Sequence, residues 1–121
     1  MAATLTTLST AVQPAQADHS YAGIMFDLQT GGDWEVMLHS VHVAGQLGKI
    51  SVWAAEGGWC GDGNMRRALA RSGWGNANDV IDATRWRQVA RVRHAEPSWH
   101  RCVEVALSQP VRVLPGCAVG I

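Results

Sequence analysis

The chain is short of paired cysteines, of bases in its first half and of long apolar runs. Its three cysteines, Cys60, Cys102 and Cys117, are an odd number, with no two at CxxC spacing. That argues against a disulfide framework and fits a reducing compartment, so a cytoplasmic location is expected. No apolar run approaches the roughly 18 residues a membrane-spanning helix needs. No HxH or CxxC pair offers the converging ligands of a zinc site. The Gly-rich stretch Gly57-Gly58-Trp59-Cys60-Gly61-Asp62-Gly63 is followed by no Lys-Ser/Thr, so it reads as a turn and not as a phosphate loop. No repeat, heptad or low-complexity tract is present, and no cofactor is implied.

What is present is tryptophan. Six Trp stand against one Tyr and one Phe, so indole rings must serve either the core or binding. With 121 residues, 47% of them hydrophobic and 17% charged, the chain is the size and composition of a single globular domain, residues 1–121. The formal net charge is zero, but its two halves differ. Residues 1–60 set Lys49 against five acids, a net −4, and residues 61–121 set nine Arg against five acids, a net +4. Such asymmetry marks a binding face or lets the two halves attract each other.

Ala15-Gln16-Ala17 has the form of an A-x-A cleavage site, yet residues 1–17 carry no Lys or Arg. A signal peptide there would make the protein secreted; the alternative is a first, edge strand over Thr4 to Thr10.

The chain is organised around Gly48 to Trp59, GKISVWAAEGGW. Ile50, Val52 and Ala54 alternate with Ser51 and Trp53, the period of a half-buried strand. Before it, Ile24, Phe26 and Leu28 share a strand face, and Gly31-Gly32-Asp33 makes a turn. Trp34, Val36 and Leu38 share the next face, and Val41 and Val43 continue on the other. That change of phase near His39-Ser40 predicts a β-bulge. Gly45 to Gly48 is a short turn. Residues 60–84 form an insertion, irregular or with one short helix around Met65 to Arg71.

The alternation resumes at Arg85. Arg85, Arg87, Val89, Arg91 and Arg93 fall on one face and Trp86, Gln88, Ala90, Val92 and His94 on the other. The Trp86–Val92 face is expected inside, leaving four Arg in a row outside. Glu96-Pro97-Ser98 is a turn. Arg101, Val103, Val105 and Leu107 then alternate with Cys102, Glu104 and Ala106. Gln109-Pro110 is expected to turn into Val111 to Leu114, and Pro115-Gly116 to turn again. Cys117, Val119 and Ile121 read as the opening of a buried strand, so the domain is expected to be incomplete at Ile121, with an unpaired edge. The pattern as a whole predicts an all-β, antiparallel, jelly-roll-like β-sandwich.

Four segments resemble the strands of β-sandwich modules of algal and protist proteins: Gly23-Ile24-Met25-Phe26-Asp27-Leu28, Val52-Trp53-Ala54-Ala55-Glu56-Gly57-Gly58-Trp59, Arg85-Trp86-Arg87-Gln88-Val89, and Gln109-Pro110-Val111-Arg112-Val113-Leu114-Pro115-Gly116. The last segment is also similar to the PHR domain, a β-sandwich attached to ubiquitin-ligase scaffolds and BTB adaptors. The resemblance implies a β-sandwich and carries over no catalytic residues.

For chemistry, His39 and His42 lie three apart and His94 and His100 flank a turn, spacings that define no metal site. Cys60 with a His and Asp62 could imitate a thiol hydrolase only through a geometry that spacing does not define. Trp34, Trp53, Trp59 and Trp86 occupy strand or strand-end positions, where core packing explains them. The informative surface is Arg85, Arg87, Arg91 and Arg93 with Trp99 and Arg101. Arginine and aromatics together suit an acidic protein surface or an anionic glycan, with nucleic acid behind both; alternatively the Arg stems cover the sheet and pair with acids of residues 1–60. The expected function is a non-enzymatic interaction module, the alternatives being an extracellular carbohydrate-binding domain or a small hydrolase.

Overall fold

The computed structural model describes residues 5–8, 24–58 and 85–121. Six strands make two antiparallel sheets: β1 (Asp27–Gln29), β2 (Val36–Gly45), β3 (Gly48–Glu56), β4 (Arg87–Ala95), β5 (Ser98–Val113) and β6 (Ala118–Gly120). One sheet has the order β1-β6-β3-β4 and the other pairs β2 with β5. The expected all-β architecture of antiparallel strands is therefore observed. The insertion and its helix around 65–71 lie outside the described residues. Of the Thr4 to Thr10 stretch, Leu5 to Leu8 form no strand, and both leucines are exposed.

The connectivity is one long antiparallel ribbon folded over at a corner. Residues 36–56 run against 87–113, from Val36 opposite Val113 through Gly45 opposite Ser98 and Gly48 opposite Ala95 to Ala54 opposite Arg87. Both chain segments turn at the same place, at Gln46-Leu47 and at Glu96-Pro97, as the turn residues there predict. Gly45 makes the corner possible. Its φ is +120°, which an L side chain rarely adopts, whereas a Cβ there would meet only the Trp99 ring at 3.9 Å; backbone conformation, not space, requires glycine.

Because the ribbon folds on itself, its apolar faces meet. Val52, Ala54, Val89 and Ala90 from one sheet join Val105, Val111 and Val113 from the other, with Val119 and Ile121 closing the cluster. The core is built from small β-branched residues, and Val89, Val111 and Val113 are its largest fully buried side chains. Ile50, Val52 and Ala54, which share a strand face in the alternation, all belong to the core side, and on β5 Val105 and Leu107 do the same. The ladder shifts register between Leu38 and Ser40, where the change of phase predicts a bulge.

Several expectations are corrected. Gln109-Pro110 is no turn: β5 runs unbroken through it. Pro110 is tolerated because it lies in the stretch of β5 displaced by the Leu38/Ser40 register shift, where a ladder bond is already lost. The buried strand expected over 117–121 is observed as β6, with Val119 and Ile121 in the core, paired on one side with β1 and on the other with β3. Ile121 and Phe26 extend that pairing with two backbone hydrogen bonds of 2.8 and 3.0 Å. Among the described residues the edges of this sheet are β1 and β4. Of the tryptophans expected in the core, Trp86 is buried and Trp53 half-buried, but Trp34 is 72% exposed. It stands in the lead-in to β2, before the ladder begins at Val36.

Candidate functional site

The arginine row expected on β4 is broken by a single residue. Val52 stands opposite Ala90 and Trp53 opposite Gln88, so Val89 is an extra residue with no partner of its own. Its side chain is only 2% exposed, and its carbonyl, displaced from the ladder, accepts a 2.8 Å hydrogen bond from the Ser108 hydroxyl. Beyond the bulge the phase is inverted. Arg87 stands opposite Ala54, an inward-phase position, whereas Arg91 stands opposite the outward Ser51. Strict alternation put Val89 outside and Gln88 and His94 inside; in fact Val89 is in the core and Gln88 and His94 are exposed. His94 instead meets Glu96 at 3.1 Å.

The six expected surface residues thus fall into three places. Arg91 and Arg93 lie toward the corner end of β4, exposed. A second register shift, between Gly48 and Ile50, sets the Arg93-His94 step opposite Lys49. Lys49, Ser51 and Trp53 alternate with the inward Ile50, Val52 and Ala54, so Lys49 and Arg91 belong to the outer face of the β3–β4 pair. Successive same-face positions on a strand are about 7 Å apart, so the charges of Lys49, Arg91 and Arg93 lie about a Debye length from one another in ordinary salt, and their fields add. Among the described residues no acid stands opposite or between them on these two strands. Among the described residues the side chains of Lys49, Arg91 and Arg93 make no ion pair or hydrogen bond.

Arg85 and Arg87 form the second place, at the far end of the same ribbon. The Arg85 Nη2 donates to the Gly58 carbonyl at 2.9 Å and to the Glu56 carbonyl at 3.4 Å. Gly58 has φ +83°, and a Cβ there would sit 2.8–2.9 Å from the Asp27 carboxyl group; here both space and conformation demand glycine. With Ala54 and Glu56, Arg85 and Arg87 line a cleft of about 310 Å3.

Trp99 and Arg101 form the third place, on β5 beyond the corner, in the other sheet. Trp99 is 43% exposed, one side of its ring lying over Gly45.

The idea that arginines pair with acids of the first half holds at Arg112. Arg112 grips Glu35 through Nε and Nη2, at 2.7 and 3.0 Å. The Arg112 hydrogen bond holds the Glu35 carboxyl below its ordinary 4.5, and Glu35 in turn raises Arg112. His42 faces Glu104 across the β2–β5 ladder, with 3.9 Å between its Nε2 and the Glu104 Oε2. Cys102 and Cys117 are exposed free thiols; Cys60, Asp62 and Trp59 lie outside the described residues. Among the described residues no group of three His, Cys, Asp or Glu is placed to hold a metal ion, and no helix is long and apolar enough to cross a membrane.

Lys49, Asp27 and Glu56 are the site residues that the sequence did not single out. Lys49 was within reach, since its outward phase follows from the Ile50–Val52 alternation. Its partners across the ladder depend on two bulges that leave no mark in the residue pattern. Comparison with known proteins finds no matching family model, no similar curated protein and no similar solved structure.

Proposed function

We propose that this chain is a non-enzymatic interaction module that docks an acidic segment of a partner protein on the outer face of β3 and β4. The observation that carries the reading is the trio Lys49, Arg91 and Arg93: exposed, on neighbouring strands, and without an ion pair among the described residues. Leaving three like charges together without internal compensation costs stability through repulsion, and a complementary acidic surface relieves it. Arg91 and Arg93 supply planar forks suited to carboxylates, and Lys49 a point charge. The protein-binding role agrees with the PHR-like motif, and the free surface thiols with a reducing, cytoplasmic setting. An anionic glycan is the second reading, favoured by Trp53, which lies next to this trio on the same face.

Poly-L-glutamate tests the reading, with a heparin fragment as the competing probe. The proposal expects saturable binding of polyglutamate that weakens as salt rises and is lost on Arg91→Glu, with the fold retained by circular dichroism. Saturable binding of heparin alone would replace the protein partner with the glycan; binding of neither would refute both.

A further inference from the structure

We infer that β2 is an edge through which two copies of this chain pair, β2 against β2, into one continuous sheet β5-β2-β2-β5. Among the described residues β5 lies along one side of β2 and no strand lies along the other. An open strand edge is a template for another chain, and proteins blunt such edges with charge, proline or short length. The other edge strands among the described residues are blunted in that way. β1 has three residues, β4 carries Arg87, Arg91 and Arg93, and β5 carries Glu104 and Pro110. β2 is ten residues long and holds no Asp, Glu, Lys, Arg or Pro. Its apolar side chains are also incompletely covered. Val36, Leu38 and Val41 stand opposite Val113, Val111 and Val105, which are buried, yet Val36 is exposed and Leu38 and Val41 are half-buried. The apolar layer runs outward from β5 to β2 and, among the described residues, stops there uncovered.

The pattern along β2 identifies the occupant as a second copy. The change of phase near His39-Ser40 leaves Val36 and Leu38 inward before it and Val41 and Val43 inward after it. That set is symmetric about the His39–Ser40 step. A two-fold axis at this step sets Leu38 opposite Val41 of the partner subunit and Val36 opposite Val43 of the partner subunit, so apolar meets apolar at each inward position. On the outer face it sets Met37 opposite His42 of the partner subunit. Self-pairing penalises any charge that meets its like, and β2 carries no Asp, Glu, Lys or Arg. The same register brings Trp34, 72% exposed ahead of β2, to Gly45 of the partner subunit, where the strand reaches its corner.

The experiment is analytical ultracentrifugation of the full chain in reducing buffer, which keeps the exposed Cys102 and Cys117 from linking copies. One strand pair is a small interface, so a monomer–dimer equilibrium is expected between about 1 μM and about 1 mM. Hydrogen exchange of residues 36–45 should slow as the dimer forms. Ser40→Lys, opposite the exposed Ala106, puts two lysines beside the axis and should weaken association by roughly tenfold or more. Met37→Glu combined with His42→Lys sets opposite charges across the axis. That variant should associate at least as tightly as the native chain at low salt and lose the gain as salt rises. Met37 and His42 are exposed, so circular dichroism should be unchanged. A chain that stays monomeric throughout overturns the inference, and slow exchange of residues 36–45 in that monomer would show that the chain covers its own strand. A dimer that Ser40→Lys leaves intact, or that Met37→Glu with His42→Lys abolishes, overturns it equally. The outer-face proposal is untouched by these results, because Lys49, Arg91 and Arg93 lie on β3 and β4.

Discussion

Arg87 stands directly opposite Ala54, and that one register position takes it off the face that carries Arg91. The cause is Val89, the extra residue that sinks into the core while Ser108 satisfies its carbonyl. Ser108→Ala should leave that carbonyl without its partner, at a cost of about 1–2 kcal/mol. Urea denaturation reads this directly; a cost near zero would mean that water replaces the hydroxyl fully.

Gly58 should be intolerant of any side chain. Its φ of +83° alone costs an L residue about 1–2 kcal/mol, and a Cβ would stand 2.8–2.9 Å from the Asp27 carboxyl group. Gly58→Ala is therefore expected to lower stability by at least ~2 kcal/mol in equilibrium unfolding. A loss below ~0.5 kcal/mol would mean that Gly57-Gly58 relaxes away from Asp27.

The core should respond according to burial. Val111 is completely buried and Val36, on the partner strand, is 38% exposed. Val111→Ala should cost roughly 2–3 kcal/mol, from lost transfer energy and a residual cavity. Val36→Ala should cost clearly less. Equal losses at the two positions would contradict the packing described for the β2–β5 ladder.

Glu35 should titrate below its ordinary 4.5 because Arg112 hydrogen-bonds the charged form. A depressed folded-state pKa gives stability that is present above about 4.5 and lost as the pH falls through the folded value. Both groups are at the surface, so the effect on stability is small and salt-sensitive. Carbon-detected titration of Glu35 should show the depression in the native chain and its loss in Arg112→Gln. An unchanged midpoint would remove the pair from any role.

Much of the fold was legible because alternation is a local signal. Ile50 to Ala54 fixed the inward face of β3, and the break near His39 announced a real bulge, since a change of phase within one strand has few other causes. What was not legible depended on the partner strand. Nothing in Arg85 to His94 announces that Val89 is extra, because an unbroken alternation and a bulged one read alike when the bulge residue is itself apolar. The same limit hid the run of β5 through Pro110, where the sequence offers a turn residue and only the displaced ladder makes it tolerable. The candidate site inherits both effects: its residue types were visible, and their division between an outer face and a cleft was not.

The most direct test is retention on immobilised polyglutamate as a function of salt, comparing single neutralisations of arginines and Lys49. Lys49→Ser, Arg91→Ser and Arg93→Ser should each lower the salt concentration needed for elution, while each melts within about 0.5 kcal/mol of the native chain. Arg101→Ser, in the other sheet, should elute like the native protein although it removes the same charge. Equal losses at Arg101 and Arg91 would show that net charge alone governs retention and would contradict a docking face on β3 and β4.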